Sequence, residues 1–143
     1  MERSVHYPLL DLIFICSVLS GIPSKKHKGG ISPKKLREIT KYVAENLASK
    51  PKVKVLAKIS GLSVGHFSRA FRDEMGMSPH QYVLTKRIER AEYLIKSTHM
   101  NYLEIAIACG FYDQSHLTAT LTKTRGAAPR KIRLLNNVPC DMK

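Results

Sequence analysis

Two segments of this 143-residue chain place hydrogen-bonding side chains at the spacing of one helix face. In the first, Gly65, Ser68, Arg69 and Arg72 recur at intervals of three and four, opposite Phe67, Ala70 and Phe71. In the second, Gln114, Ser115, Thr118, Ala119, Thr122 and Lys123 lie opposite Leu117, Thr120 and Leu121. The chemistry open to such faces is recognition. An arginine gives two parallel hydrogen bonds to a guanine edge, a glutamine pairs bidentately with adenine, and hydroxyls and cations hold phosphate oxygens. His66 and His116 occupy equivalent places, where surface or capping roles are ordinary, and His66 joins the first contact face. The expected nucleic-acid contacts are therefore Gly65, His66, Ser68, Arg69, Arg72, Gln114, Ser115, Thr118, Thr122 and Lys123.

The charge of the chain agrees with such a partner. Lys and Arg number 24 against 11 Asp and Glu, for a formal net charge of +13, which implies a polyanion. Residues 24–96 carry +11 of it, residues 97–143 carry +3 and residues 1–23 carry −1. That distribution belongs to a folded basic surface rather than to one basic tail. Arg87 and Arg90, with Lys86, form a further basic group suited either to phosphate or to plain solvation.

Catalysis and metal binding find no support. There is no HExxH, phosphate-binding loop or paired carboxylate. Cys16, Cys109 and Cys140 form no CxxC pair, and the six histidines lack ligand spacing. The expectation is no enzyme, no metal and no cofactor, with reduced thiols in a cytoplasmic protein.

The elements that must position the two faces are helical, and the fold is expected to be all-α, because no stretch alternates apolar and polar residues as a strand does. Ser32 and Pro33 open a helix with Leu36, Ile39, Val43 and Leu47 at helical spacing, running to about residue 49. Pro51 precedes a short helix in which Val53, Leu56, Ala57 and Ile59 face inward. Ser78 and Pro79 start the longest helix, which ends near Ser97 and carries Tyr82, Val83, Ile88, Ala91, Leu94 and Ile95 as its apolar stripe.

An internal repeat organises these pieces. Leu56-Ala57, Gly61, Phe67, Phe71, Gly76 and Pro79 recur as Ile105-Ala106, Gly110, Leu117, Leu121, Gly126 and Pro129. The offset is 49 residues before the turn and 50 after it, so the second turn is one residue longer. Each copy reads as helix, glycine-containing turn, helix, with Ser63 and Asp113 as the caps of the second helices. The architecture expected is two helix-turn-helix units joined by a long bridging helix.

Four regions follow. Residues 1–23 hold an apolar run from Leu9 to Ile22, too short to span a bilayer at 14 residues against the ~20 required. It is read as a helical segment buried at an interface, through which copies self-associate, or as a remnant of a sensor domain. Residues 24–32 are a basic linker, 33–135 the double unit and 136–143 a tail.

Residues 33–135 resemble the C-terminal DNA-binding domain of the AraC/XylS family of bacterial transcription regulators. The resemblance rests on LSVGHFSRAFRDEMGMSPHQYV (62–83) and EIAIACGFYDQSHLTATLTKTRGAAP (104–129). Ile105, Ala106, Gly110, Phe111, Asp113, Ser115, Gly126 and Pro129 match the family signature. The chain departs from it at Ala119 (Arg in the family), Leu117 and Leu121 (Phe), Arg125 (apolar) and Ala128 (Ser or Thr). Loss of the arginine removes about 1–3 kcal/mol of discrimination, and Arg125 turns outward or its turn is rebuilt. The resemblance implies a regulator that reads the major groove of double-stranded DNA mainly through the first unit, with RNA polymerase as a further partner. The alternative is an interaction module that binds a regulator or RNA polymerase without its own operator.

Overall fold

The computed structural model describes residues 29–136. The chain divides into two units, Met1–Gly30 and Ile31–Lys143, and every described helix belongs to the second. The apolar segment 1–23, self-association through its run from Leu9 to Ile22, most of the linker and the tail beyond Asn136 lie outside the described residues.

Helix α1 (Pro33–Glu45) starts where Ser32 accepts the Lys35 amide at 3.3 Å and Pro33 presets the first turn. It buries Leu36, Ile39 and Val43, but it stops four residues short of the expected end. Asn46 ends it: its side-chain amide donates to the Tyr42 carbonyl at 2.8 Å, and its backbone N–H donates to Val43. Leu47 is buried as the periodicity required, yet it is carried inward by a loop.

Helix α2 (Val53–Ser60) buries Leu56 and Ala57, while Val53 and Ile59 are only half-buried. Gly61, at φ +76°, turns the chain into α3 (Val64–Met75), which is capped by Ser63 through the His66 amide at 3.3 Å. Helix α4 (Pro79–Ser97) opens with a reciprocal cap between Ser78 and Gln81, and its 19 residues span ~28 Å. Helix α5 (Tyr102–Ala108) is capped in the same way by Asn101 and Glu104. Helix α6 (Gln114–Arg125) follows Asp113, whose carboxylate accepts the His116 amide at 2.7 Å. Helix α7 (Pro129–Asn136) closes the series. Among the described residues there are seven helices and no strand.

Two helix-turn-helix units result, α2–α3 and α5–α6, with α4 between them. The caps Ser63 and Asp113 and the glycines Gly76 and Gly126 stand 50 residues apart, as the repeat required. In the first unit Phe67, Phe71 and Tyr82 stack at centroid separations of 5.5 and 5.4 Å, contacts that add about 0.5–1.5 kcal/mol each beyond their buried area. The second core joins Ile88, Ala91 and Ile95 of α4 to Ile105, Phe111, Leu117, Leu121 and Ile132. Arg133 of α7 locks its rim, donating to the carbonyls of Ile95 (3.3 Å) and Met100 (2.6 Å) and stacking on Tyr102 at 4.5 Å.

Candidate nucleic-acid interface

The α3 face is built by what lies behind it. Phe67, Ala70 and Phe71 are buried, which turns Gly65, His66, Arg69 and Arg72 to solvent and leaves Ser68 half-buried. Ser68 donates its hydroxyl to the Val64 carbonyl at 2.8 Å, keeping its lone pairs free to accept. Arg69 lies back along the helix, its Nε 3.3 Å from the Gly65 carbonyl. So long a hydrogen bond is weak, and the guanidinium leaves it at little cost to reach a base or phosphate.

Gly65 has no role inside the fold. A Cβ there would meet nothing closer than the Arg69 guanidinium at 3.9 Å, an ordinary contact. A glycine within a helix costs about 0.5–1 kcal/mol relative to alanine. That cost is not offset by any packing of the chain against this position, and it leaves room for a partner's close approach.

The α6 face is quieter. Gln114, Ser115, Ala119, Thr122 and Lys123 are exposed and Thr118 is half-buried, over Leu117 and Leu121. Thr118, Thr122 and Thr124 each donate their hydroxyl to the carbonyl four residues earlier, at 2.7–2.9 Å. Thr120, expected inside, is half-buried. His116 supports the turn while staying exposed: its Nδ1 accepts the Tyr112 amide at 3.2 Å and its ring meets Phe111 edge-on.

Arg125 does turn outward, but its Nε pairs with Glu92 of α4 at 3.1 Å. The turn is not rebuilt, since Gly126 ends α6 at φ +69° as Gly76 ends α3 at φ +70°. Arg87 and Arg90 form no simple solvated face. Both are half-buried, and the Nε of each is enclosed without a hydrogen-bond partner among the described residues. Burial holds the Arg87 guanidinium below the ordinary arginine value. Cys109 beside them is fully buried, and burial pushes its thiol up to about 11. Sequence reasoning missed this enclosure and the stacking of Lys50 over Tyr112 at 5.5 Å. No local signal reveals either, because the partners are distant in the chain.

Among the described residues no group of His, Cys, Asp and Glu is placed to hold a metal ion, and no helix is long and apolar enough to cross a membrane.

This arrangement is a doubled helix-turn-helix fold in which the second helix of each unit turns a polar face outward. Residues 56–134 match the helix-turn-helix domain family, and the chain belongs to that family. Its fold is that of AraC-type DNA-binding domains. A transcriptional regulator of Chromobacterium violaceum described as AraC-type superposes with a TM-score of 0.68 at 27% identity, covering 74% of this chain and 95% of that one. The DNA-binding domain of AdpA, solved in complex with a target DNA, gives 0.67 at 28% identity, covering 71% and 91%. The probable transcriptional regulator LumQ of Photobacterium leiognathi is 32% identical over 93 residues, 65% of this chain and 38% of LumQ. The chain thus spans well under half of that relative.

Proposed function

We propose that this chain binds double-stranded DNA in the major groove, with α3 as the main reading helix, and acts as a transcription regulator of AraC type. One observation carries the reading: the two units repeat the same caps and turns, and each turns a face of hydrogen-bonding side chains outward. AdpA, whose DNA-binding domain shares this fold, was solved with a target DNA. A net charge of +13 supplies the sequence-independent attraction.

In this reading Arg69 and Ser68 contact bases, with Gly65 and His66 at the groove edge and Arg72 on phosphate. Gln114, Ser115 and Thr118 supply the weaker specificity of α6, with Thr122 beside them and Lys123 on the phosphate backbone. RNA polymerase is the second partner, and the cytoplasm is the place of action.

The test is a DNA-binding titration against a site selected from a random library, at several salt concentrations. Arg69→Ala should cost roughly 1–3 kcal/mol and relax preference at one base pair. Arg72→Ala should weaken all sequences alike and reduce the salt slope by about 1. Sequence preference unchanged in Arg69→Ala would remove α3 from the role of reader.

A further inference from the structure

Gly61 and Gly110 hold matching places in the two turns and share the left-handed conformation, at φ +76° and +82°. Their surroundings are opposite. A Cβ on Gly61 would meet nothing within 4 Å. A Cβ on Gly110 would overlap the Leu47 carbonyl oxygen, with the carbonyl carbon at 3.1 Å and the Arg87 Nε at 3.0 Å. Leu47 belongs to the loop between α1 and α2, in the first half of the domain. Gly110 belongs to the turn between α5 and α6, in the second. The halves therefore touch directly, beside the helix that bridges them. Lys50 extends the contact, its ammonium 5.5 Å from the centre of the Tyr112 ring. Arg87, from the middle of α4, closes it on a third side, its Nε enclosed and without a hydrogen-bond partner among the described residues.

We infer that the Leu47–Gly110 contact is a second strut between the two helix-turn-helix units, and that it restricts the protein to DNA sites whose two halves lie at one spacing. The inference rests on the proposed DNA reading. A single bridging helix fixes the distance between units but leaves bending and twisting at its two joints. A second contact off the helix axis removes those freedoms. The separation and the relative phase of α3 and α6 are then fixed by the protein, and a site of the wrong spacing must be deformed to fit. The carbonyl of Leu47 approaches so closely only because residue 110 has no side chain.

The experiment uses the full chain and duplexes carrying the two selected half-sites at centre-to-centre spacings from about 8 to about 12 base pairs, around the one-turn value. The wild type should bind its preferred spacing about tenfold more tightly than one two base pairs away. In Gly110→Ala that preference should fall to about threefold or less. Gly61→Ala carries the same backbone strain without the contact, and should weaken every spacing alike while keeping the preference. Arg87→Ala opens the contact without backbone strain and should flatten the profile as Gly110→Ala does. If circular dichroism shows Gly110→Ala unfolded, Arg87→Ala decides. A profile unchanged in Arg87→Ala and in folded Gly110→Ala overturns the strut, as does a wild type indifferent to spacing. A wild type that binds none of the duplexes overturns the DNA reading itself, and the strut's role with it.

Discussion

The α2–α3 and α5–α6 units share a backbone plan and differ in almost everything that faces outward. Each has a side-chain cap at the start of its second helix and a left-handed glycine at its end. The first packs Phe67 and Phe71 and exposes Arg69 and Arg72. The second packs Leu117 and Leu121, exposes Ala119 and Thr122, and ties its last turn to α4 through Arg125 and Glu92. The difference teaches which residues make the unit. Caps, glycines and apolar volume hold the geometry, while the outward residues are free to change. Reading faces therefore diverge on an unchanged frame.

The largest test of this contrast lies in the cores. Phe71→Ala should cost about 3–5 kcal/mol, because it removes a ring that contacts both Phe67 and Tyr82. Leu121→Ala has no ring pair to lose and should cost less in the same urea titration. A greater loss at Leu121 would reverse the order of the two cores.

A smaller effect concerns the reading faces. Ala119→Arg restores a cation to the exposed surface of α6, and affinity for a ~20-base-pair duplex should rise by about 1 kcal/mol at low salt, less at high salt. No gain at low salt would mean that α6 does not lie in a groove.

Gly65→Ala should sharpen the account of α3 by separating folding from binding. Thermal unfolding should show a gain of about 0.5–1 kcal/mol, since the new methyl meets only the Arg69 guanidinium. DNA affinity should fall in the same variant. Equal or better binding would remove the close approach assigned to this position.

The smallest effect is expected at the α6 tether. Arg125→Ala breaks a partly exposed ion pair, so the cost should stay between about 0 and 1 kcal/mol. Cys109, neutral and fully buried under the second unit, reports on it. Its alkylation, followed by mass spectrometry, should accelerate by no more than about fivefold. Faster labelling would make the tether a main support of that unit.

What the sequence disclosed was local. Ser32, Ser63, Ser78 and Asp113 announced four helix starts because a cap and its amide lie within three residues. Helical periodicity identified Phe67, Phe71, Leu117 and Leu121 as core. It failed at Leu47, where burial without helix satisfies the same pattern. The surroundings of Arg87 and Arg90 were illegible for a different reason. Those of Arg87 depend on a glycine 23 residues later, itself pressed on a carbonyl 40 residues before Arg87. Arg133 is similar, since it bonds to carbonyls 38 and 33 residues away and reads in sequence as one more surface cation.

The threonine hydroxyls of α6 carry a consequence for what that helix offers a base. Each of Thr118 and Thr122 has spent its one donor hydrogen on its own backbone. What each has left to offer is a methyl group and a pair of lone pairs, on the helix that also exposes Ala119. Such a surface is poor at seeking guanine and well matched to the 5-methyl of thymine, the one apolar mark in the major groove. On the proposed reading, α3 and α6 speak to different letters: the first to guanine through donors, the second to thymine through grease.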